Sequence, residues 1–544
     1  MKQYLRERVL ASLRLAGCPD SVVPTFEQPK IAEHGDLTTN VAMVACKLLG
    51  RPPRALAQTI VDRLELDPAR IAKVEIAGPG FINFRFTKDY YQNSLTEILA
   101  AGQRFGRVDV GGGRKTQVEF VSANPTGPLT VGHGRGAVFG DTVSRLLEWA
   151  NFDVTREYYF NNAGRQMRVL GDSVRLRYLE EIGAPAQAFP EDYYQGEYIR
   201  EIALRLKKEC GDGLKDEPAE GRFKAQAEHD IFENIKTSLR QLGVTFDVFY
   251  NEQSLYESGK VKDVIDELKA KGLAYDQEGA LWFKMTALGG EKDKVIVKST
   301  GEPTYRLPDI AYHREKFRRG FDLMIDVLGA DHIATYPDVL AALKALGLDE
   351  AKVKVLIHQF VTIVQGGEVV KMSTRKANYI TLDQLVEEVS ADVVRYFFLM
   401  RGINSHLNFD LKLAKEQSDE NPVYYLQYAY ARIASIVRHA GHQTEGRNNS
   451  RNFSLLGEPE ELELMKTLIT FPEIVASCAT AYEPHRLAEY LHDAAGKFHA
   501  FYHAHRVVID DVELMAARMG LCEATKCVLG NGFTILGISA PEKM

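Results

Sequence analysis

Asn124-Pro125-Thr126-Gly127-Pro128-Leu129-Thr130-Val131-Gly132-His133-Gly134-Arg135-Gly136 follows an alternating segment, Val118-Glu119-Phe120-Val121-Ser122, and leads into one that carries Val138, Phe139, Val143, Leu146 and Leu147 on one face. The two periodicities predict a strand, a Pro/Gly turn and an amphipathic helix. Such a turn presents backbone N–H groups at the positive end of the helix dipole, where a phosphate binds well. It is not one of the common phosphate loops. The sequence has no GxxxxGK[ST], and Gly132, Gly134 and Gly136 do not complete GxGxxG.

Outward from this stretch, strands and helices alternate over residues 114–400, which favours a parallel sheet with helical crossovers. Residues from about 165 to 275 are charged and helical, and read as an insertion. Trp282-Phe283-Lys284 and Val295-Ile296-Val297-Lys298 read as antiparallel strands. The core pattern resumes with a strand at Leu323–Leu328, a helix from about Tyr336 to Leu346, a strand from Val353 to Val361 and a hairpin at Gln365-Gly366-Gly367. Residues 1–105 form a smaller α+β pattern, set off by a glycine-rich break from Gly106 to Gly113. Thr381-Leu382-Asp383-Gln384 is a capping box opening a helix through Met400, and residues 401–544 read as all-α. The expected fold is multidomain α/β, with three domains at 1–105, 114–400 and 401–544.

Composition narrows the class. The net charge of −7 excludes a globally basic nucleic-acid binder, so any RNA contact must come from local patches. No apolar run is long enough for a membrane span, and Met1–Arg8 lacks the apolar core of a signal peptide. The six cysteines are scattered, with no CxxC pair. A cytoplasmic protein without membrane contact or a cysteine-built metal site is expected.

Several residues carry candidate chemistry. His133, near a helix N-terminus, suits donation to a phosphate oxygen, although a lone Gly-His-Gly is more often structural. Lys371-Met372-Ser373-Thr374-Arg375-Lys376 follows the Gly-Gly hairpin; it is a cationic loop able to close over a triphosphate, or simply a solvated basic turn. Ser122 and Asn124 share strand parity, and Glu119 joins them only if the strand bends. Tyr305 and Asp309 are four apart, with Pro308 between them putting a regular helix in question. Carboxylates of this kind suit a guanidinium, and structural ion pairing fits them equally. Asp331 and His332 close a predicted strand, where open α/β sheets bind ligands. The tyrosine-rich helix at 424–430 either stacks bases or forms helix core.

In this order, the residues resemble the arginyl-tRNA synthetases, a class I family. The resemblance runs from Ala77-Gly78-Pro79-Gly80-Phe81-Ile82-Asn83 through Val118–Leu129, Tyr158–Gly164, Thr304-Tyr305, Asp309–His313 and Gly329-Ala330-Asp331-His332, and on to Asn421–Ala429 and Ala540–Met544. Thr130–His133 stands where the family has its HIGH signature, and Lys371–Thr374 where it has KMSK. The resemblance implies a Rossmann-like catalytic domain, an N-terminal domain that grips the tRNA D-loop and a helical anticodon-binding domain. The implied reaction is ATP-dependent ligation of L-arginine to its tRNA through arginyl-adenylate. It implies Thr130, His133, Lys371, Ser373 and Lys376 as catalytic residues, and Glu119, Ser122, Asn124, Tyr305 and Asp309 as arginine ligands. Gly132, His133, Gly136, Asp331, His332 and Lys371 are the implied ATP contacts, and Phe81, Asn83, Tyr428 and Met544 the implied tRNA contacts. Mg²⁺ would arrive with ATP, not in a site of the protein's own, and the family's usual state is a monomer.

Two signature positions depart from the pattern: Thr130 and Thr374 replace a histidine and a lysine, leaving Lys376 as a nearby substitute for the latter. Asn162 stands where an aspartate is common. If Thr130 only stands in for a histidine, Thr130→His should leave activity unchanged or raise it. Two rivals are a non-catalytic RNA-binding paralogue and a class I enzyme for another amino acid such as cysteine. The presence of Glu119, Asn124, Tyr305 and Asp309 together counts against the first, and the scattered cysteines, which offer no zinc ligands, against the second.

Overall fold

The computed structural model describes residues 1–544 except Lys30, Ala186, 371–379 and 445–450. The N-terminal unit is a three-stranded antiparallel sheet, β1 (Leu37–Thr39), β2 (Ile71–Ala77) and β3 (Phe81–Phe86) in the order β1-β3-β2, backed by helices Lys2–Leu15, Val41–Leu49 and Pro53–Val61. Leu5, Val9, Leu56, Ile60, Ile82 and Phe84 make its own apolar core.

The central sheet has five parallel strands: β4 (Lys115–Glu119), β5 (Asp153–Phe160), β6 (Val248–Asn251), β10 (Leu323–Gly329) and β11 (Val353–His358). Their order is β11-β10-β4-β5-β6, so the chain works outward from β4 to one edge and then returns to build the other. Consecutive crossovers therefore diverge between β4 and β10, the point where doubly wound sheets open a crevice at the carboxyl ends of their strands. The helix Val131–Trp149 packs close to the sheet because Gly140 leaves room for Phe120, whose ring atoms would lie 2.3 Å from an added Cβ.

A small antiparallel sheet of β7 (Ala274–Gln277), β8 (Ala280–Phe283) and β9 (Lys294–Val297) interrupts the alternation, as the sequence predicts. The stretch expected as an insertion is not wholly one. Val248–Asn251 lies inside it and is the edge strand of the central sheet, with Tyr158 opposite Phe249. Four residues between charged helices are too few for a period to show.

The expected strand over 353–361 is two. After β11, β12 (Val361–Gln365) belongs to a separate sheet with β13 (Glu368–Val369) and β14 (Leu407–Asp410). Because β14 pairs in parallel with β12, this sheet continues past the boundary expected at residue 400. The helix expected from Thr381 to Met400 breaks at Ser390, whose φ of +80° ends Leu382–Val389 while its hydroxyl caps Ala391–Leu399. Helices Pro422–Thr444, Pro459–Leu468, Phe471–Ala481, Pro484–Ala504 and Val512–Leu536 complete the C-terminal part.

One buried ionic junction ties these parts together. Arg395 donates to Asp141 on the helix Val131–Trp149 at 2.6 Å, to the Leu242 carbonyl at 2.9 Å and to the Leu536 carbonyl at 2.8 Å. A single guanidinium thus satisfies carbonyls just after one helix and at the end of another, both left open by helix geometry.

Candidate active site

β4 ends at Glu119, and the chain turns sharply there. Val121 and Ser122 have φ of +69° and +44°, a conformation that costs a non-glycine residue about 1–2 kcal/mol. The corner folds Ser122 back, so that its hydroxyl donates to Glu119 Oε1 at 2.9 Å and accepts the Tyr159 N–H at 3.2 Å. The parity that would have separated Glu119 from Ser122 on a straight strand is broken by the bend. Asn124, two residues on, faces the end of β5 instead: its Oδ1 accepts the Asn161 N–H at 2.9 Å and its Nδ2 donates to Gln166 at 3.0 Å.

The helix Arg306–Arg318 supplies the opposing groups. Pro308 sits in its first turn, where no intrahelical N–H is required, so the helix stays regular and the Asp309 N–H reaches the Tyr305 carbonyl at 3.3 Å. Burial pushes the Asp309 carboxyl up to about 7; Glu119 and Glu252 add to the rise, while His313 and Lys316 oppose it. Glu252, just past β6, accepts from the Tyr159 hydroxyl at 2.7 Å and from Asn161 Nδ2 at 2.8 Å. Burial raises this carboxyl too, against those hydrogen bonds. Sequence reasoning missed Glu252, because it reaches the pocket only through β6, the strand hidden in the supposed insertion.

Beneath the pocket lies a fully buried lysine. Lys316 Nζ donates to Glu119 Oε2 and to Asp326 Oδ1, both at 2.6 Å. Asp326 and Glu119 are register partners on β10 and β4. His313 closes the set, with Nε2 2.8 Å from Asp326 and Nδ1 2.8 Å from the Asp309 carbonyl.

A second cluster forms at the start of the helix Val131–Trp149. Thr130 is its N-cap, and the cap is reciprocal: Thr130 Oγ1 accepts from the His133 N–H, and His133 Nδ1 accepts the Thr130 N–H at 3.1 Å. With Nδ1 accepting, the ring proton sits on Nε2. Burial holds the His133 pKa below its ordinary value, with Asp331 opposing, so the neutral ring is favoured. His358, at the end of β11, lies against Gly136, where an added Cβ would come within 3.2 Å of its Nε2. Burial, followed by the nearby Arg135 charge, lowers His358 to about 4. Thr130 also bridges to Thr381, and the Leu382 N–H donates to the Leu129 carbonyl at 2.8 Å.

Three family models cover this chain. That described as tRNA synthetases class I (R), catalytic domain, matches residues 94–395; the arginyl tRNA synthetase N terminal domain matches 3–86; the DALR anticodon binding domain matches 426–544. The chain belongs to the arginyl-tRNA synthetase family. An arginine–tRNA ligase of Desulfotalea psychrophila is 53% identical over 96% of this chain and 94% of its own length. One of Salinibacter ruber is 51% identical over the whole of both chains. Among solved structures, a Thermus thermophilus arginyl-tRNA synthetase covers 100% of both chains with a TM-score of 0.78 at 21% identity, a likeness of fold.

In this synthetase, Glu119, Ser122 and Asp309 come together, as do Thr130, His133 and Gly132, with Asp331 close enough to act on the imidazole. Tyr305 does not join the first group; it is 72% exposed beside the helix start. His332 is exposed next to Asp331, at 3.6 Å. Lys371, Ser373, Thr374 and Lys376 lie outside the described residues. Phe81 is exposed at the start of β3, whereas Asn83 is buried within that strand. Tyr428 is half-exposed and stacks on Tyr424 and His499, with ring centroids 6.2 and 6.3 Å apart. Met544 is exposed at the C-terminus. Asn162, in place of the family's aspartate, donates to Glu228 at 2.7 Å. Among the described residues, no group of His, Cys, Asp and Glu is arranged to hold a metal ion, and no helix is long and apolar enough to cross a membrane.

Proposed function

We infer that this protein ligates L-arginine to its tRNA at the expense of ATP, with the two side-chain clusters dividing the work. The observation that carries this reading is the group of carboxylates Glu119, Asp309 and Glu252, at the end of β4, in the first turn of the helix Arg306–Arg318 and just past β6. A guanidinium among them replaces carboxylate repulsion with charge-assisted hydrogen bonds. Arginine enters this pocket, with Glu119, Ser122 and Asn124 on the β4 side and Asp309 and Glu252 opposite. Tyr305, exposed beside the helix start, is proposed as a further arginine contact.

The arginine carboxylate attacks the α-phosphorus of ATP, and pyrophosphate leaves. Gly132 and Gly136 admit the nucleotide to the helix start, and His133 Nε2–H donates to oxygen as charge develops. Asp331 and His332 border the nucleotide at the β10 end. Lys371, Ser373 and Lys376, which lie outside the described residues, are proposed to neutralise the departing pyrophosphate. Mg²⁺ enters with ATP as part of that substrate. A terminal ribose hydroxyl of tRNA then attacks the adenylate carbonyl and AMP leaves. Phe81 and Asn83 at one end of the molecule, and Tyr428 and Met544 in the C-terminal part, are the proposed tRNA contacts. The enzyme works as a cytoplasmic monomer.

The test is ATP–pyrophosphate exchange across the amino acids, with and without tRNA. Exchange only with arginine, and only when tRNA is present, is expected. Exchange with another amino acid would overturn the substrate, and none with any amino acid would favour a non-catalytic role.

A further inference from the structure

We propose that Lys316 is a positioning residue for arginine recognition, clamping one oxygen of Glu119 so that the other faces the substrate cation. This rests on the arginine pocket proposed above. Lys316 itself does not reach that pocket: its side chain is 0% exposed and its ammonium is shared by Glu119 Oε2 and Asp326 Oδ1. Glu119 Oε1 is left to Ser122, on the pocket side of the same carboxylate.

The geometry separates two kinds of carboxylate. Glu119 and Asp326 come with a resident cation, which fixes where their oxygens point. Asp309 and Glu252 are held by neutral donors or helix position, and burial drives both toward the protonated form. The first pair therefore sets direction, and the second supplies the charge that a guanidinium answers. A lysine this deep costs several kcal/mol of desolvation unless every proton is matched. Here two carboxylates and the Tyr312 ring, whose centroid is 4.4 Å from Nζ, surround it. A structural role alone could be filled by apolar packing at lower cost.

Around Glu119 stand Lys316, Tyr312 and Asp309 on the facing helix, Asp326 on β10 with His313 behind it, and on β5 Tyr159 and the register partner Glu157, itself held by Arg319, while Glu252 past β6 acts on Asp309. Lys316 also opposes the burial-driven rise of the neighbouring Asp309 carboxyl, so its removal drives that carboxyl further toward the protonated form. Arginine affinity would then weaken as the pH is lowered more steeply than in the parent.

The experiment uses the full-length enzyme with tRNA and measures KM for arginine and for ATP in Lys316→Met, Lys316→Arg and the charge-balanced double variant Lys316→Met/Asp326→Asn. The double variant decides the matter if Lys316→Met does not fold. The Met variants should raise the arginine KM about ten- to a hundredfold while leaving the ATP KM within about twofold, and Lys316→Arg should recover part of the loss. Over about pH 6–8.5 the Met variants should show the steeper arginine dependence. Equal effects on both substrates, or a folded variant with parental arginine KM and pH profile, would overturn the role. Asp309→Asn is run beside them: if it too leaves the arginine KM untouched, the pocket itself is wrong, and not only the part given to Lys316.

Discussion

Thr130 and His133 hold each other: the threonine hydroxyl accepts the His133 N–H, and His133 Nδ1 accepts the Thr130 N–H at 3.1 Å. The threonine is therefore not a weakened histidine. It is a helix cap that fixes the tautomer of the neighbouring ring. Histidine is a poorer N-cap than threonine, so the expectation that Thr130→His would be harmless is reversed by this geometry.

Thr130→Ala should cost about 1 kcal/mol of stability and lower the rate of tRNA-dependent pyrophosphate exchange about tenfold, while Thr130→Ser stays near the parent. Thermal melts and single-turnover rates check this. A folded alanine variant with parental rate would show that the cap does not orient the imidazole.

Asp309→Ala should weaken arginine binding far more than ATP binding, by about 1.5–3 kcal/mol for the lost charged hydrogen bond. Glu252→Gln should act in the same direction, and more weakly, because its donors remain. Substrate-resolved KM values are the measurement, and parallel losses for both substrates would argue against the pocket.

Asp309 carries a raised carboxyl, about 7. Between its unfolded value and that figure the folded chain binds more protons than the unfolded one, so its contribution to stability is present at low pH and lost as the pH rises toward 7. Arginine needs the carboxylate. Its binding near neutral pH should release protons, and its KM should fall as pH rises from about 6 to 8. Calorimetry in buffers of differing ionisation enthalpy reads the release directly, and Asp309→Asn should abolish it.

Arg395→Met should destabilise the protein by about 1–3 kcal/mol, because the buried Leu242 and Leu536 carbonyls lose their donor while Asp141 keeps Arg145 at 2.8 Å. Denaturant melts followed by tryptophan fluorescence will show it, and a shift under about 1 kcal/mol would mean the junction relaxes around water.

The order strand, turn and helix was legible because periods of two and 3.6 meet at a Pro/Gly turn, but the strand expected over 118–122 runs over Lys115–Glu119, and 120–122 form the bend. So were the antiparallel strands β8 and β9. Glu252 and β6 were not, since a four-residue strand carries no readable period and its Phe249 lies far along the chain from its partner Tyr158 on β5. The corner at Val121 and Ser122 was foreseen only as a condition: nothing in Val-Ser prefers a left-handed backbone, and tertiary packing imposes it. Lys316 was invisible for a related reason. On sequence it is one more charge in His-Arg-Glu-Lys, and only the register of β10 against β4 reveals what it joins.

The junction at Arg395 bears on how the molecule comes apart when heated. One apolar core joins residues of the nucleotide-binding sheet to the C-terminal helices, from Tyr91 to Ile538; a second gathers Leu255 to Val353, and the N-terminal unit keeps its own. The part matched as an anticodon binding domain should therefore melt together with the nucleotide-binding sheet, in one cooperative transition and not at a temperature of its own. A gene fragment that begins near Pro422 should yield insoluble chain, whereas residues 1–86 expressed alone should refold.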